Sequence, residues 1–253
     1  MFEFTFLDFL KTFLGLFLII AGRYFFVSGV FFWYLWKKKH PFQPLQKLEP
    51  VPERVRSEIY WSMMTSLLFA LPSAVMIESW KAGGTLIYSD IHQYGWLYTV
   101  GSFFVYLFLH DTYFYWTHVW MHAKPKRFMR FHQVHHQSLD PTPWTAFSFH
   151  PFEGMIEAII IPLMVFVIPI HIGALLLMLT LMTFFGVVNH CGFEVYPKSW
   201  MNSWWGKWMI TPSHHNHHHK RFNTNYGLYF RFWDYWMKTD DGYSKLVPSK
   251  VKA

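Results

Sequence analysis

The sequence predicts an all-α, polytopic membrane protein. About four transmembrane helices are expected, the last two a tight hairpin, with a histidine-rich helical cap on the cytoplasmic side. Three observations predict this. Of 253 residues, 53% are apolar and 22% aromatic, against 15% charged. That is more apolar material than a soluble core of this size needs. The apolar residues gather into runs that match a bilayer, which takes ~20 residues per helix. The histidines collect beyond the ends of those runs, in three dense clusters.

The first run extends roughly from Thr12 to Trp36 and carries Arg23, which must snorkel or pair. No small-residue cleavage site follows it, so a retained anchor is expected rather than a cleaved signal peptide. The second run covers about Ile59 to Trp80 and the third about Tyr94 to Tyr115. The fourth, about Met155 to Asn189, is interrupted near Pro169 and Gly173. It reads as a hairpin of two short spans, with a re-entrant pair as the alternative. No repeat, low-complexity tract or flexible linker divides the chain. One domain over 1–253 is expected, with 1–109 mainly membrane anchor and 110–240 carrying the chemistry.

Charge placement sets the topology. The 37–58 loop, the 118–153 segment and the 190–253 tail hold six, four and nine Lys/Arg, 19 of the 22 present. The positive-inside rule makes their shared side cytoplasmic, and the same arrangement puts every histidine cluster on that side. The net charge of +7 does not indicate nucleic acid, because the basic residues are dispersed among Trp and Phe with no recognisable binding motif. Cys191 is the only cysteine, which excludes an intrachain disulfide framework and a cysteine-based zinc site.

The clusters are His118 and His122; His132, His135 and His136; and His215, His218 and His219, joined by a lone His190. Positions i, i+3 and i+4 share a helix face, so each cluster is expected to aim its imidazoles at one point. Nine imidazoles exceed the roughly four to six ligands of one transition metal. The count suits two ions, and nitrogen-rich ligation without thiolates favours iron over zinc. His110, His150 and His214 are weaker candidates. His40, His92 and His171 read as ordinary surface or packing histidines. Metal-bound imidazoles usually donate their second N–H to a carboxylate or carbonyl, and Asp111, Glu153, Glu194 and Asp234 are placed to accept. An aromatic rim (Phe147, Phe149, Phe152, Phe193, Trp200, Trp204 and Trp205) reads as interface anchoring or as the wall of an entrance. Two other classes compete. A membrane zinc hydrolase lacks its usual HExxH signature here. A metal transporter would place its ligands within the spans, and a bis-histidine haem protein needs only pairs.

These residues resemble the fatty acid hydroxylase and sterol desaturase superfamily of membrane histidine-box proteins. The pattern His118-x3-His122, His132-x2-His135-His136 and His215-x2-His218-His219 carries the resemblance. Pro141-Thr142-Pro143-Trp144 leading to Phe149-His150-Pro151-Phe152-Glu153, Asn189-His190-Cys191-Gly192-Phe193, Asn225-Tyr226-Gly227 and Trp233-Asp234 add to it. It covers about 110–240. Val119 and Asn216-His217 depart from the usual residues inside the boxes without removing a ligand. The resemblance implies a non-haem centre of two iron ions, dioxygen as oxidant and a lipid substrate, sterol or fatty acyl. It implies an external electron donor, a cytochrome b5-like protein or a ferredoxin. The compartment would be the endoplasmic reticulum in a eukaryote or the inner membrane in a bacterium. The Pro-Thr-Pro and Phe-His-Pro segments are most similar to sterol C-5 desaturases. Hydroxylation and desaturation begin with the same hydrogen abstraction, so the residues leave that choice open.

Overall fold

The computed structural model describes residues 5–46 and 49–242. Lys47, Lys245, Lys250 and Lys252 of the charge count lie outside the described residues.

Each apolar run becomes helix. The first is α1 (Phe6–Lys37), whose N-cap Thr5 accepts the Asp8 N–H through its hydroxyl. The second is α2 (Pro52–Lys81), begun by a proline whose missing N–H has no partner to lose at that position. The third is α3 (Gly95–His122). A broken helix follows: a single turn α4 (Pro125–Arg127), a π-helical stretch over Phe128–His132, and α5 (Gln133–His136). The fourth run splits into α6 (Pro151–Met164) and α7 (Ile172–Asn189). Three short helices complete the chain: α8 (Lys198–Met201), α9 (Pro212–Arg221) and α10 (Phe232–Met237). Among the described residues, extended structure is limited to two two-residue pairings and one isolated bridge between Met209 and Phe230. β1 (Gln43–Pro44) meets β4 (Phe193–Glu194) antiparallel, and β2 (Ile87–Tyr88) meets β3 (Ile170–His171) parallel.

The expected all-α class holds, while among the described residues three helices, α1, α2 and α7, are long and apolar enough to cross a membrane. The two differences from a four-span count have physical reasons. With 28 residues α3 has the length, but Tyr, Trp, Thr, His and Asp dilute its apolarity. The fourth run splits into two helices where expected, yet α6 has only 14 residues. At 1.5 Å per residue it rises ~21 Å, short of a ~30 Å hydrocarbon layer. The outward face of α1 is apolar, with Phe6, Leu18, Ile19 and Phe26 exposed. That face suits lipid tails and has no soluble-protein rationale. Arg23, expected to snorkel or pair, keeps its Nε buried without a hydrogen-bond partner.

The same helices hold the chain that carries chemistry. Tyr24 and Ser62 donate hydroxyls to the Trp144 carbonyl (2.8 and 3.1 Å), and Ser28 donates to the Pro143 carbonyl (2.9 Å). Glu58, buried in α2, accepts the hydroxyls of Ser138 and Thr142, each at 2.6 Å. The segment between the second histidine cluster and α6, which holds a 3-10 turn over Pro143–Phe147, is therefore pinned from Ser138 to Trp144. A buried backbone turn needs such partners, because orphaned carbonyls and N–H groups are costly.

Candidate metal centre

Four parts of the chain bring the imidazoles together above the apolar helices. The C-terminal turn of α3 supplies His118 and His122. The π-helical stretch and α5 supply His132, His135 and His136. Helix α9 supplies His215, His218 and His219, and His190 caps the C-terminus of α7. All nine predicted histidines converge, in two groups. His118, His122, His132, His136 and His218 form one, and His135, His190, His215 and His219 the other. Within each group the candidate ligand atoms lie within 4.8 Å of one another.

The grouping corrects one expectation. Neither HxxHH cluster aims at a single point. Each gives two histidines to one group and one to the other. Helical geometry explains it: at 100° per residue, i and i+4 differ by about 40°, whereas i+3 and i+4 differ by about 100°. His132 and His136 pair at i, i+4 in the five-histidine group, while His135 turns to the four-histidine group. His215 and His219 pair at i, i+4 in the four-histidine group, and His218 crosses to the other. The two groups are thereby interleaved through the same helices.

The atoms that converge are Nε2. His118 and His132 approach to 2.9 Å, His136 stands 3.1 Å from His122 and 3.0 Å from His218, and His190 stands 3.1 Å from His135 and 2.8 Å from His215. His215 and His219 are 3.2 Å apart. Ligands at ~2.1 Å from one ion are separated by ~3.0 Å along an octahedral edge and ~3.4 Å along a tetrahedral one. The observed edges fit the octahedral figure.

Proton placement fits a cation as well. Nδ1 of His118 meets the Tyr226 carbonyl (2.8 Å), that of His218 the Thr224 carbonyl (2.7 Å) and that of His190 the Gly186 carbonyl (2.6 Å). A carbonyl only accepts, so these Nδ1 atoms carry the proton and Nε2 carries a lone pair. Nδ1 of His132 faces Glu153 Oε1 at 2.6 Å with both side chains buried. When Glu153 is ionised, His132 takes the same tautomer. The lone pairs of His118 and His132 then face each other at 2.9 Å, an arrangement that repels unless a positive charge lies between them. Burial first, and neighbouring imidazoles second, hold His132, His136, His215, His218 and His219 well below the ordinary imidazole range. Neutral imidazoles are the form that ligates metals. The donor set therefore suits two nitrogen-ligated cations.

The remaining candidates are placed differently. His110 contacts the Tyr229 hydroxyl at 3.1 Å and lies outside both groups. His214 closes a capping box with Thr211 at the start of α9. His150 is the N-cap of α6, accepting the Phe152 N–H. Of the four acids, only Glu153 reaches an imidazole. Asp234 accepts the backbone N–H groups of Tyr226 and Gly227, both at 2.8 Å, and so aims the Tyr226 carbonyl at His118. Glu194 accepts the Ser213 N–H (3.1 Å) in the first turn of α9, and Asp111 the Tyr229 N–H (2.7 Å). Asp234 and Glu194 thus orient backbone beside the histidine groups, while Asp111 holds the Tyr229 and Phe230 backbone. His171 and His92 sit in turns at the opposite ends of α7 and α3 from the clusters, and His40 packs against Phe42 and Phe193.

Sequence reading missed two features. The carbonyls of Thr224 and Gly186 have no residue-type signature, although Asn225-Tyr226-Gly227 marked the neighbourhood. Phe222 ends α9 with φ 65°, a left-handed conformation costly for a bulky residue, and its ring lies 4.7 Å from that of His136. Of the aromatic rim, Phe149 packs on His135 at 5.0 Å, Phe147 and Phe193 lie in the apolar cores, and Trp204 and Trp205 are exposed.

Comparison with known proteins places this geometry. The chain is 27% identical to a Delta(7)-sterol 5(6)-desaturase of Gibberella zeae over 76% of its length and 59% of that protein's. It is 26% identical to the lathosterol oxidase of Rattus norvegicus, over 83% of this chain and 68% of the relative. It is 32% identical to a C-4 methylsterol oxidase of Schizosaccharomyces pombe over 59% of this chain and 50% of the relative. The chain thus spans between half and about two thirds of the length of these curated relatives. No solved structure matches it. The fatty acid hydroxylase family model matches residues 103–239, just over half of the chain and the whole of the histidine-bearing region, and the chain belongs to that family.

Proposed function

We propose that the chain is a membrane-bound oxidoreductase holding two iron ions, which uses dioxygen to hydroxylate or desaturate a C–H bond of a lipid, with a sterol favoured as substrate. The observation that carries this reading is the pair of buried histidine groups with octahedral edges and outward-anchored Nδ1 protons. The sterol preference rests on the relatives named above. The ligands proposed are His118, His122, His132, His136 and His218 for one ion, and His135, His190, His215 and His219 for the other.

Side chains cannot break an unactivated C–H bond, and the metal ions supply that oxidising power when bound. The protein supplies orientation and exclusion of water. The Tyr226, Thr224 and Gly186 carbonyls and the Glu153 carboxylate fix the imidazole tautomers. Phe149 shields His135 from one side, and Phe128 and Phe222 shield His136 from another. The apolar helices below admit a lipid while the site stays dry. Electrons come from an external donor, a cytochrome b5-like protein or a ferredoxin. The exposed Lys124, Lys126, Arg130, Lys220 and Arg221 beside the histidine helices suit an acidic partner. Charge distribution favours several spans with this face cytoplasmic, in the endoplasmic reticulum of a eukaryote or the inner membrane of a bacterium.

Metal analysis of protein purified without chelating resin, together with oxygen-dependent turnover of lathosterol in the presence of a reductant, tests the proposal. About two irons per chain and an oxidised lipid product are expected. A single zinc with hydrolytic activity, or haem absorption, overturns it.

A further inference from the structure

The two histidine groups are anchored unequally. In the five-histidine group the Tyr226 and Thr224 carbonyls and the Glu153 carboxylate fix the rings of His118, His218 and His132. In the four-histidine group the Gly186 carbonyl holds His190, but Nδ1 of both His215 and His219 is buried without a hydrogen-bond partner. A ring that lacks such an anchor keeps its direction through packing and through the position of its backbone. Whatever fixes that backbone therefore sets the geometry of the group.

The 138–149 segment reaches three of these four ligands. The Ser138 N–H donates to the His135 carbonyl at 3.3 Å. The Ser148 backbone and the Phe149 ring lie against the His135 imidazole, the ring at 5.0 Å. Asp140 pairs at 3.3 Å with Lys220, the residue after His219. Ala146 packs against Gly186, where an added Cβ would stand 4.0 Å from the Ala146 Cβ, and the Gly186 carbonyl is the one that holds His190.

One carboxylate gathers this segment. Glu58 accepts the Ser138 hydroxyl on Oε1 and the Thr142 hydroxyl on Oε2, each at 2.6 Å, and the Thr145 hydroxyl lies beside it. Thr142 Oγ1 accepts the Trp144 N–H at 3.2 Å, and Thr145 Oγ1 accepts the Thr142 N–H at 3.0 Å. Glu58 and all three hydroxyl residues are buried. Buried donors that lose their acceptor are costly, so the segment has to shift to satisfy them elsewhere.

We infer that Glu58 is a positioning residue for the four-histidine group: it fixes the 138–149 segment, and the segment aims His135, His190 and His219. Glu58 belongs to α2, outside the 103–239 region that the family model matches. Helix α2 is then part of the metal centre as well as an anchor. The role deepens the proposed metal reading and rests on it.

Iron release from the loaded full chain in nanodiscs, dialysed against a chelator, tests this. In Glu58→Leu, which keeps the bulk and removes both acceptors, one of the two irons is expected to leave at least about tenfold faster than in wild type, and the other at close to the wild-type rate. The double variant Glu58→Leu/Glu153→Gln identifies the group that empties. Glu153 holds His132 of the five-histidine group, so the double variant should lose both irons quickly. Tyr106→Phe is the control for general destabilisation. It loses a hydroxyl bonded to the Ile168 carbonyl (2.7 Å), away from the segment, and should lower the unfolding temperature while both irons leave at wild-type rates. Where Glu58→Leu does not fold, Glu58→Gln is read in its place. Both irons leaving together, both staying, one iron staying in the double variant, or the same selective loss in Tyr106→Phe overturns the role of Glu58. Wild-type protein that binds no iron removes the metal reading and this role with it. Two irons in wild type without selective loss in the variant remove the role alone.

Discussion

Glu153 is the one acid that touches a proposed ligand, and Glu153→Gln isolates what its charge does. The carboxylate stands 2.6 Å from His132 Nδ1, both groups are buried, and Oε2 has no hydrogen-bond partner. An ionised carboxylate in that position is costly by itself. A dication bound through His132 offsets the cost, because the carboxylate makes the imidazole a better ligand. Glutamine keeps the shape and an accepting oxygen while removing the charge. Loss of such a partner typically weakens metal binding 10–100-fold, which is about 1.4–2.7 kcal/mol. The outcome differs between states. Metal-free Glu153→Gln should be about as stable as wild type, since burial raises the Glu153 pKa and favours its uncharged form there. Metal-loaded protein should be less stable, by up to the binding loss when metal is in excess. The position of His132 adds selectivity: the five-histidine group should release its ion first, leaving about one iron per chain after dialysis against a chelator. Iron content and thermal unfolding with and without metal provide the check. Equal loss from both groups, or equal destabilisation of the metal-free and loaded forms, would refute the reasoning.

Further consequences follow from the same contacts. Burial depresses the pKa of His132, His136, His215, His218 and His219 below the ordinary 6.5, so the unfolded state binds more protons at acid pH and metal-free stability falls as pH drops through that value. Between pH 7.5 and 5.5 each contributes up to about 1.4 kcal/mol of loss, a sum comparable with the total stability of a domain; a pH series of denaturant unfolding should show a steep decline there, and a flat profile would contradict the neutral, buried cluster. In Gly227→Ala the new Cβ would lie 2.4 Å from the Phe230 carbonyl oxygen and 3.0 Å from Asp234 Oδ2, which should cost about 1–3 kcal/mol and release iron from the five-histidine group by swinging the Tyr226 carbonyl off His118. His135→Ala and His218→Ala, one from each group, should each abolish turnover with membrane insertion intact, whereas His92→Ala should leave metal content unchanged; inductively coupled plasma analysis and a protease-protection assay separate these outcomes.

Much of the fold was readable because bilayer helices are written in composition. The runs over Thr12–Trp36 and Ile59–Trp80 fall inside α1 and α2. The interruption near Pro169 and Gly173 falls where α6 ends and α7 begins. The span count was less readable. Aromatic residues score as weakly apolar, so α3, rich in Tyr and Trp, does not qualify by hydropathy despite its length. Proline at 162 did not end α6 either. Hydroxyl anchoring of the 143–147 turn by Tyr24, Ser28 and Ser62 could not be foreseen, because a tyrosine or serine inside an apolar run is equally consistent with several neighbours.

The candidate centre was legible as a list and illegible as a partition. Cluster spacing identifies eight of the nine histidines that meet, since side chains three or four apart share a face, and His190 is marked only by its place at the end of the fourth apolar run. Spacing does not say which of them meet each other, because an adjacent pair such as His135-His136 diverges by about 100° around the helix axis. One member must then serve each group, and His218-His219 repeats the division on α9. The π-helical stretch at Phe128–His132 changes the phase further, and such bulges arise from packing that no local pattern announces. The division has a physical consequence. Because α5 and α9 each supply both groups, neither group assembles without the packing that also assembles the other. Emptying one should therefore loosen its neighbour's ligands through a shared backbone, at a distance of one residue.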